Sequence, residues 1–472
     1  MSETCKSENS SAVCGVISKN YISHTRSMVE SFHKYNPGID VYILVTDTND
    51  GYIKPESENF KVISIDELLC DDLLKMLFIY DALEATCALK PFLMEYILNK
   101  YNASKLLYVD SDMVFTADIT EIWKLLDCYS VVLTPHLLDP IQVDDRCIQT
   151  ELNILRCGTF NMGFLAVANN PDVRAFLAWW KTRLQKYASH DDALLYVDQK
   201  WINLVPGYLN NVLILRDPGY NVGYWNLFNR TITMSNGKIF VNGFPLRFFH
   251  FSGLNLENLS QITKWQNQYT LKDFPALRPL FEQYRESVLR NGYTETRNWP
   301  YAYNYFDNGV PISKVIRRIF RKLDMDNSTA KFGNPFCAGS SSYYEWLNED
   351  IADVGLPRIT RLWYEIYLSR PDIRALYPDI FGKDRQRFCQ WCIYVSRREY
   401  GLNDAFVSEL RQDHPEIEAN LPVRAKTLLP MVLWPRARST ATRLGRKYIK
   451  NRWVLGKLVN IREYLDRKFY SR

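Results

Sequence analysis

Two aspartates one residue apart, Asp110 and Asp112, follow the apolar run LLYV at residues 106–109. The run is typical of a buried strand, and side chains of an extended chain alternate between faces, so both carboxylates can point the same way. In parallel sheets, ligands gather beyond the carboxyl ends of the strands. Paired carboxylates suit Mg²⁺ or Mn²⁺, and Mg²⁺ is often shared with substrate phosphates. We therefore predict a divalent cation held against a diphosphate at this strand end.

Polar side chains recur near the ends of other predicted strands. Asn161 and Asn221 carry amides that can both donate and accept hydrogen bonds. Asp198 and Gln199 open the helix-like stretch DQKWINLV, and His250 closes the aromatic run RFFH. Asp198 and His250 also have a plain structural alternative. An aspartate at a helix start is often an N-cap, and a histidine among aromatic residues is often only packed.

The elements that must position these residues follow an α/β pattern. AVCGVI at 12–17 and VYILVTD at 41–47 read as strands around a helical stretch, a parallel α/β opening. Residues 299–420 are rich in Trp, Tyr and Arg and read as mostly helical. We expect a mixed α/β sheet flanked by helices at 1–285, a helical accessory domain at 286–420, and a basic amphipathic helix at 421–472.

The strand-end motifs resemble those of GT-A glycosyltransferases, and most closely the family 8 type that includes glycogenin and bacterial lipooligosaccharide galactosyltransferases. Asp110-Ser111-Asp112 is similar to the family's D-x-D, and Phe160-Asn161-Met162-Gly163 to its F-N-x-G. Asp198-Gln199 is similar to its D-Q pair, and His250-Phe251-Ser252-Gly253 to its H-x-x-G. Over nearly its whole length the chain resembles, more closely still, bacterial surface-polysaccharide glycosyltransferases that end in a helical region and carry motifs such as FDNGVPI and RPDIRALYPD.

The resemblance implies a role for each matched residue. Asp110, Asp112 and His250 would hold Mn²⁺, with Mg²⁺ as a substitute, because a neutral imidazole suits Mn²⁺ better. Asn161 would touch the donor sugar, and Asp198 or Gln199 would lie beside the anomeric carbon. The donor-binding residues implied in addition are Asn20, Tyr21, Lys90, Ser111 and Asn221.

One departure concerns the lysine that grips the diphosphate in the family. There it follows the H-x-x-G closely in a Lys-Pro-Trp, whereas here Lys264-Trp265 comes later and lacks the proline.

Charge divides the chain. Residues 421–472 carry 14 Lys and Arg against 2 Asp and Glu, a net charge of +12, whereas residues 1–420 carry 44 against 51, a net of −7. The basic stripe could pack on the helical domain, contact an anionic membrane, or bind nucleic acid, and the last is disfavoured because no base-reading module is present. With no export signal or membrane span predicted and ten scattered cysteines, we expect a cytoplasmic protein with reduced thiols, and the inner face of the membrane as a candidate contact.

The predicted function is transfer of a hexose from a nucleotide sugar, UDP-linked, to a bacterial surface glycan or lipid-linked glycan acceptor, with retention of configuration. An inverting reaction would need a general base, for which Asp144, Asp145, Asp191 and Asp192 are available. The alternatives are a sugar-nucleotide nucleotidyltransferase, whose Gly-rich phosphate loop is absent after the first strand, and a non-catalytic glycan-binding protein on a transferase fold.

Overall fold

The computed structural model describes residues 10–68, 70, 72–141, 151–190, 195–351 and 357–412. Its strands are β1 Ser11–Ile17, β2 Asp40–Val45, β3 Lys61–Ser64, β4 Lys105–Val109, β5 Met113–Phe115, β6 Val131–Pro135, β7 Phe160–Ala168, β8 Val212–Ile214, β9 Val222–Gly223, β10 Ile232–Ser235, β11 Lys238–Val241, β12 Phe244–Pro245 and β13 Phe248–His250. Its α-helices are α1 Ile22–Tyr35, α2 Leu73–Ile79, α3 Ala82–Ala88, α4 Lys90–Lys100, α5 Thr120–Leu125, α6 Glu151–Cys157, α7 Pro171–Leu184, α8 Val205–Tyr208, α9 Arg278–Arg290, α10 Tyr293–Thr296, α11 Lys314–Met325, α12 Tyr343–Asn348, α13 Arg361–Leu368, α14 Pro371–Leu376, α15 Arg385–Trp391, α16 Arg397–Glu399 and α17 Ser408–Gln412.

The central sheet has seven strands in the order β3-β2-β1-β4-β7-β6-β8. β1 to β4 pair in parallel, whereas β7 runs antiparallel to both β4 and β6. Because β7 is reversed, its first residues lie at the same edge of the sheet as the carboxyl ends of β1 and β4. The apolar residues of β1 and β4 are buried on both faces, as the uninterrupted hydrophobic runs predict.

A second, three-stranded sheet crosses this edge in the order β5-β13-β9. Its short strands come from distant parts of the chain, and β13 pairs with β5 so that His250 lies opposite Met113. The pairing is decisive for the site, since Met113 directly follows the two aspartates. β10 to β12 form a separate small sheet.

Helices cover both faces of the central sheet, and those from α11 onward form the helical C-terminal region. Phe78 of α2 contacts Phe306, Phe320 and Tyr343, so the core is continuous from the sheet's helical layer into this region. The predicted class, a mixed α/β sheet flanked by helices with a mostly helical C-terminal region, is confirmed. Strand β3 and helix α6 were not anticipated from the sequence.

The domain division stays a prediction. Helix α9 runs across the proposed boundary at residue 285, and its Phe281 packs against Phe249 and Phe251 of the predicted first region. The basic segment 421–472 lies outside the described residues. Within the described part of the chain, no helix combines the length and apolar composition needed to cross a membrane.

Candidate active site

The predicted metal ligands Asp110 and Asp112 lie in the turn between β4 and β5. The sequence pattern suggested that the two aspartates occupy alternate positions of an extended strand. Strand β4 instead ends at Val109, so both aspartates lie in a turn. The amide of Asp110 donates to the Gly163 carbonyl (3.0 Å), and the Asp112 carbonyl accepts from the Phe251 amide (2.8 Å). These bonds fix the turn between β7 and the end of β13, which brings His250 beside it.

Three side chains converge at this turn. His250 Nε2 lies 3.0 Å from Asp112 Oδ1 and 3.9 Å from Asp110 Oδ2. One ligand atom from each of the three lies within 4.8 Å of the others. Two ligands bound at right angles to a cation at about 2.1 Å lie about 3 Å apart, so small adjustments would let all three coordinate one Mg²⁺ or Mn²⁺ ion. The donor set, two carboxylates and an imidazole, therefore fits the predicted cation.

Charge attraction already couples two of these groups. Burial opposes charging of His250, but the neighbouring carboxylates of Asp112 and Asp110 together outweigh burial and raise the imidazole's pKa above its usual value. Desolvation likewise opposes ionisation of Asp112, yet His250 lowers the pKa of that carboxyl overall. The protein thus holds Asp112 and His250 face to face before any cation binds.

Lys90 neutralises the opposite side of Asp110. Asp110 Oδ1 accepts a hydrogen bond from the Tyr108 hydroxyl (2.8 Å) and lies 3.5 Å from Lys90 Nζ, so Oδ2 is the oxygen nearer His250. Lys90 Nζ also donates to the Met162 carbonyl (2.9 Å) and lies 3.0 Å from Asp198 Oδ2. The ammonium group of Lys90 therefore connects the first turn of α4 to the carboxylates of Asp110 and Asp198.

The Lys90–Asp198 pair is almost completely enclosed, with side chains 5% and 2% exposed. Burial alone would lower the pKa of Lys90, but Asp110 and Asp198 raise it well above its usual value. Asp198 precedes the 3₁₀ helix Gln199–Leu204, yet its side chain makes no capping hydrogen bond there. The Asp198 carboxylate therefore does not cap the helix but pairs with Lys90.

Gln199 is held by backbone groups on two sides. Its Oε1 accepts from the Met162 amide (3.0 Å), and its Nε2 donates to the Cys157 carbonyl (3.0 Å). The amide therefore ties the end of α6 to the start of β7, directly beside Asp198.

Asn161 and Asn221 form a buried pair next to His250. Asn161 Oδ1 accepts from the Gly163 amide and from Asn221 Nδ2, both at 3.0 Å. Asn221 Oδ1 faces His250 Nδ1 at 3.4 Å. Gly163 makes this packing possible, because a Cβ there would stand 2.5 Å from His250 Cε1. The glycine of the F-N-x-G motif is required by the approach of the histidine.

Tyr21 and Asn20 lie at the end of β1. The Tyr21 ring is 45% exposed and stacks on His24 with ring centroids 4.8 Å apart. Desolvation and the negative charges of Asp112 and Asp110 raise the pKa of Tyr21 to about 12, which places it within electrostatic range of the metal candidates. Asn20 accepts a hydrogen bond from Ser18 Oγ (2.6 Å).

Ser111 is the buried middle residue of the aspartate turn. Lys264, eleven residues after Gly253 of the H-x-x-G motif, is brought back to it, because its amide donates to the Gly253 carbonyl (3.0 Å). Gly253 adopts φ +71°, and a Cβ at that position would collide with the Trp265 ring. The late Lys-Trp thus packs against the motif despite the intervening loop.

Sequence reasoning missed His136, His24 and Trp225. His136 follows β6 at the same kind of strand end that flagged the other residues, so the same rule could have found it. Its ring lies edge-on to Trp225, with ring centroids 5.4 Å apart, and Trp225 in turn lies edge-on to His250 at 5.1 Å. Burial lowers the pKa values of His136 and His24 to about 4, so both rings are neutral near pH 7.

The carboxylates considered for an inverting reaction, Asp144, Asp145, Asp191 and Asp192, lie outside the described residues.

Comparisons with known proteins give distant similarities. No family model matches the chain. The Bacillus subtilis (strain 168) protein named "Uncharacterized protein YfnF" is 24% identical over 286 residues, which are 60% of this chain and 93% of that protein. "Uncharacterized protein YfnD" of the same organism is 22% identical over 284 residues, 58% of this chain and 88% of that protein.

Solved structures with a similar arrangement carry glycosyltransferase names. The glycosyltransferase GlyE of Streptococcus pneumoniae TIGR4 is 15% identical, covers 63% of this chain and 67% of its own, and has a TM-score of 0.36. The galactosyltransferase LgtC, solved in complex with donor and acceptor sugar analogs, is 15% identical, covers 59% and 95%, and has a TM-score of 0.35. At such distances the functional assignment depends on the geometry of the site.

Proposed function

We propose that this protein is a metal-dependent glycosyltransferase of the GT-A, family 8 type. It transfers a hexose from a nucleotide sugar, UDP-linked, to a bacterial surface glycan or lipid-linked glycan, with retention of configuration. The convergence of Asp110, Asp112 and His250, from segments 138 residues apart, carries this proposal. Two carboxylates and an imidazole at the carboxyl end of a buried strand are suited to a cation that binds a diphosphate.

Different residues of the chain would bind the cation, the nucleotide base and the phosphates. Asp110, Asp112 and His250 hold the cation, which when bound acts as a Lewis acid on the leaving diphosphate. Tyr21 offers an exposed ring for stacking on the nucleotide base, with Asn20 beside it. Ser111 and Lys90 contribute a hydroxyl and a positive charge next to the carboxylates, so that the donor phosphates meet an environment that is not purely anionic.

Asp198, Gln199 and Asn161 would act on the sugar side of the donor. Lys90 holds the Asp198 carboxylate 3.0 Å away, and backbone groups hold the Gln199 amide, so neither side chain has to find its orientation during reaction. Such preorganised dipoles stabilise developing charge without reorganisation. We assign Asp198 or Gln199 to the anomeric centre, and Asn161 and Asn221 to the wall beneath it.

Thermal unfolding with UDP, GDP and their sugars, with and without Mn²⁺, tests the proposal. We expect UDP and a UDP-sugar to raise the melting temperature only when Mn²⁺ is present, and Asp112→Asn to abolish the effect. Asp127→Asn is a matched control, because Asp127 is an exposed aspartate that pairs with Lys105. Absence of any nucleotide response in the wild type would exclude the proposal.

The products separate the alternatives. Release of UDP from a UDP-sugar on addition of a glycan acceptor indicates a transferase, whereas release of pyrophosphate from a nucleoside triphosphate and a sugar phosphate indicates a nucleotidyltransferase. Glycan binding without turnover of any donor would indicate a non-catalytic protein. NMR of the anomeric configuration of the product distinguishes retention from inversion.

The basic segment 421–472 is proposed as a contact to anionic lipid near the inner face of the membrane. Co-sedimentation of the full chain with phosphatidylglycerol vesicles, compared with phosphatidylcholine vesicles and with a chain ending at residue 420, tests this. Equal binding of the two chains would show that the segment is not the contact.

A further inference from the structure

A chain of buried hydrogen bonds leads from a backbone amide to His250. Its first member is the Gly163 N–H, which can only donate and points at the Asn161 side chain at 3.0 Å. The atom of Asn161 that receives this bond must therefore be the carbonyl oxygen, and the amide nitrogen must occupy the other position. The orientation of a buried asparagine is thus set by the backbone of β7.

The second member is fixed by the first. Asn161 Oδ1 also lies 3.0 Å from one terminal atom of the Asn221 side chain. Two amide oxygens at that distance would repel each other, so this atom is Nδ2, which also donates to Thr134 Oγ1 (2.8 Å). Asn221 must then present its carbonyl oxygen to His250.

The third member is His250 itself. Asn221 Oδ1 lies 3.4 Å from His250 Nδ1 and is an acceptor only, so it favours a proton on Nδ1. The other ring nitrogen, Nε2, is the one that faces Asp112 and Asp110. Without a cation, the Asp112 carboxylate 3.0 Å away competes for the ring proton by accepting from Nε2. When a cation takes the place of that proton, the remaining ring proton is on Nδ1 and the Nε2 lone pair meets the cation.

A side branch ends at His136. Asn161 Nδ2 lies 3.2 Å from His136 Nε2, which must accept, so the proton of this neutral ring is on Nδ1, 3.3 Å from the Thr159 carbonyl. The low pKa of His136, about 4 because of burial, agrees with a ring that accepts at one nitrogen. Both polar ends of the Asn161 amide are therefore held by the protein.

We propose that the Gly163 amide, acting through Asn161 and Asn221, orients the His250 ring so that Nδ1 keeps its proton when a cation binds Nε2, and that Asn221 and His136 are positioning residues for the metal-ligating Nε2. The inference rests on the proposed function for the role of the cation. It goes beyond that function because it gives Asn221, besides its place in the wall beneath the anomeric centre, and His136 a role in orienting a metal ligand. Partners that orient a metal-bound histidine typically change metal affinity by about 10- to 100-fold when removed.

Two readouts test it on the full chain. The first is long-range ¹H–¹⁵N NMR of protein labelled with ¹⁵N-histidine, at pH 9 without metal and with diamagnetic Mg²⁺, with His250 assigned by loss of its signals in His250→Gln. In the Mg²⁺ sample we expect a protonated Nδ1 that exchanges slowly with water, because Asn221 Oδ1 accepts its hydrogen bond; the metal-free sample is the reference. An Nδ1 that carries no proton in the Mg²⁺ sample, or whose proton exchanges as fast as in Asn221→Gly, would overturn the inference.

The second readout is Mn²⁺ affinity measured by EPR with the metal alone. Asn221→Gly is the test variant, because Asn221 adopts φ 48°, which glycine tolerates, so the side chain is removed without backbone strain. We expect a loss of affinity of about 10- to 100-fold. His136→Phe should cost less, about threefold to tenfold, because Gly163 still orients Asn161.

Thr134→Val is the matched control. It removes an acceptor of Asn221 Nδ2 but leaves the bonds from Gly163 to His250 intact, so Mn²⁺ affinity should stay within about threefold of the wild type. A loss as large as that of Asn221→Gly would show that Asn221 acts only through packing and would overturn the inference. If the wild type binds no Mn²⁺, the proposed function fails; if it binds Mn²⁺ and Asn221→Gly binds equally well, only the inference fails. If Asn221→Gly does not fold, the Nδ1 signal of the wild type with Mg²⁺ and the Mn²⁺ affinity of His136→Phe decide the inference.

Discussion

Two clusters of carboxylates and histidine occur among the described residues, and they differ in where a lysine stands. Asp110, Asp112 and His250 form one, and Asp81, Glu84 and His190 form the other. In the second cluster Lys314 Nζ lies 3.5 Å from Asp81 Oδ2 and 3.3 Å from His190 Nε2. The ammonium group of Lys314 therefore lies among the candidate ligand atoms of the second cluster.

The carboxylates of the second cluster also serve the fold. Asp81 and Glu84 make reciprocal capping bonds at the start of α3, and Glu84 Oε1 accepts from Ser189 Oγ and from two nitrogens of His190. In the first cluster, Lys90 approaches only the far oxygen of Asp110 and leaves the near one directed at His250. Similar residue types therefore give an ion-pair centre in one place and a candidate metal site in the other.

The largest effect that separates the two clusters is expected from Asp112→Asn. Loss of one carboxylate from the first cluster should lower Mn²⁺ affinity and glycosyl transfer by about 1,000-fold or more, equivalent to about 4 kcal/mol. Glu84→Gln, the matched change in the second cluster, should leave Mn²⁺ affinity unchanged. EPR titration of both variants measures this difference. Equal losses of Mn²⁺ affinity would show that both clusters contribute to Mn²⁺ binding.

Lys90→Met should produce the next largest effect, on stability. It leaves Asp198 buried without its cation, and breaking a buried ion pair in this way costs about 3 to 5 kcal/mol. Urea denaturation would measure the change. The double variant Lys90→Met with Asp198→Asn should recover part of the loss, because the uncompensated charge is removed; no recovery would mean that Lys90 stabilises the fold through other contacts.

A pH dependence of stability is expected from the buried histidine near the first cluster. The folded-state pKa of His136, about 4, lies below its usual value of 6.5, so the unfolded chain takes up a proton first as the pH falls. The contribution is fully present above about pH 6.5 and is lost between pH 6.5 and 4, by about 3 kcal/mol in all. Urea denaturation across this range should show a shallower pH dependence for His136→Gln; an unchanged slope would contradict the assignment.

The smallest effect is expected from Lys314→Met in the second cluster. The Lys314 side chain is 57% exposed, and ion pairs at exposed positions contribute less than about 1 kcal/mol. Since the carboxylates of this cluster keep their capping and histidine bonds, no second Mn²⁺ site should appear. A change in Mn²⁺ stoichiometry from one to two per chain would show that only the lysine excludes a cation there.

Much of the fold could be predicted from local patterns. The apolar runs at 12–17 and 41–47 are β1 and β2, and Pro91 lies in the first turn of helix α4. Proline fits the first turn of a helix because the N–H groups there have no acceptor within the helix, so the N–H that proline lacks is not needed. This signal is local in the sequence. β3 was missed because its four residues carry little periodicity.

The site was predictable in its members more than in its contacts. Asp110, Asp112 and His250 were grouped from strand-end positions and a family resemblance, and they lie together. The N-cap reading of Asp198 failed because Lys90, 108 residues away in the chain, pairs with its carboxylate. His136 follows a strand end and could have been flagged by the same rule, but nothing in VVLTPHLL shows which side chain its imidazole meets.

The sequence by itself determined the chemical inventory: which strands are buried, where each ends, and which carboxylates, amides and imidazoles stand at those ends. Tertiary structure alone decided the use of each group. The reversal of β7 brings Gly163 against His250, the pairing of β13 with β5 sets His250 beside Asp112, and the placement of a lysine outside one carboxylate cluster and inside the other separates a candidate metal site from an ion pair. Electrostatic and hydrogen-bond partners act over a few ångströms in space, and the spacing of residues along the chain does not record that distance.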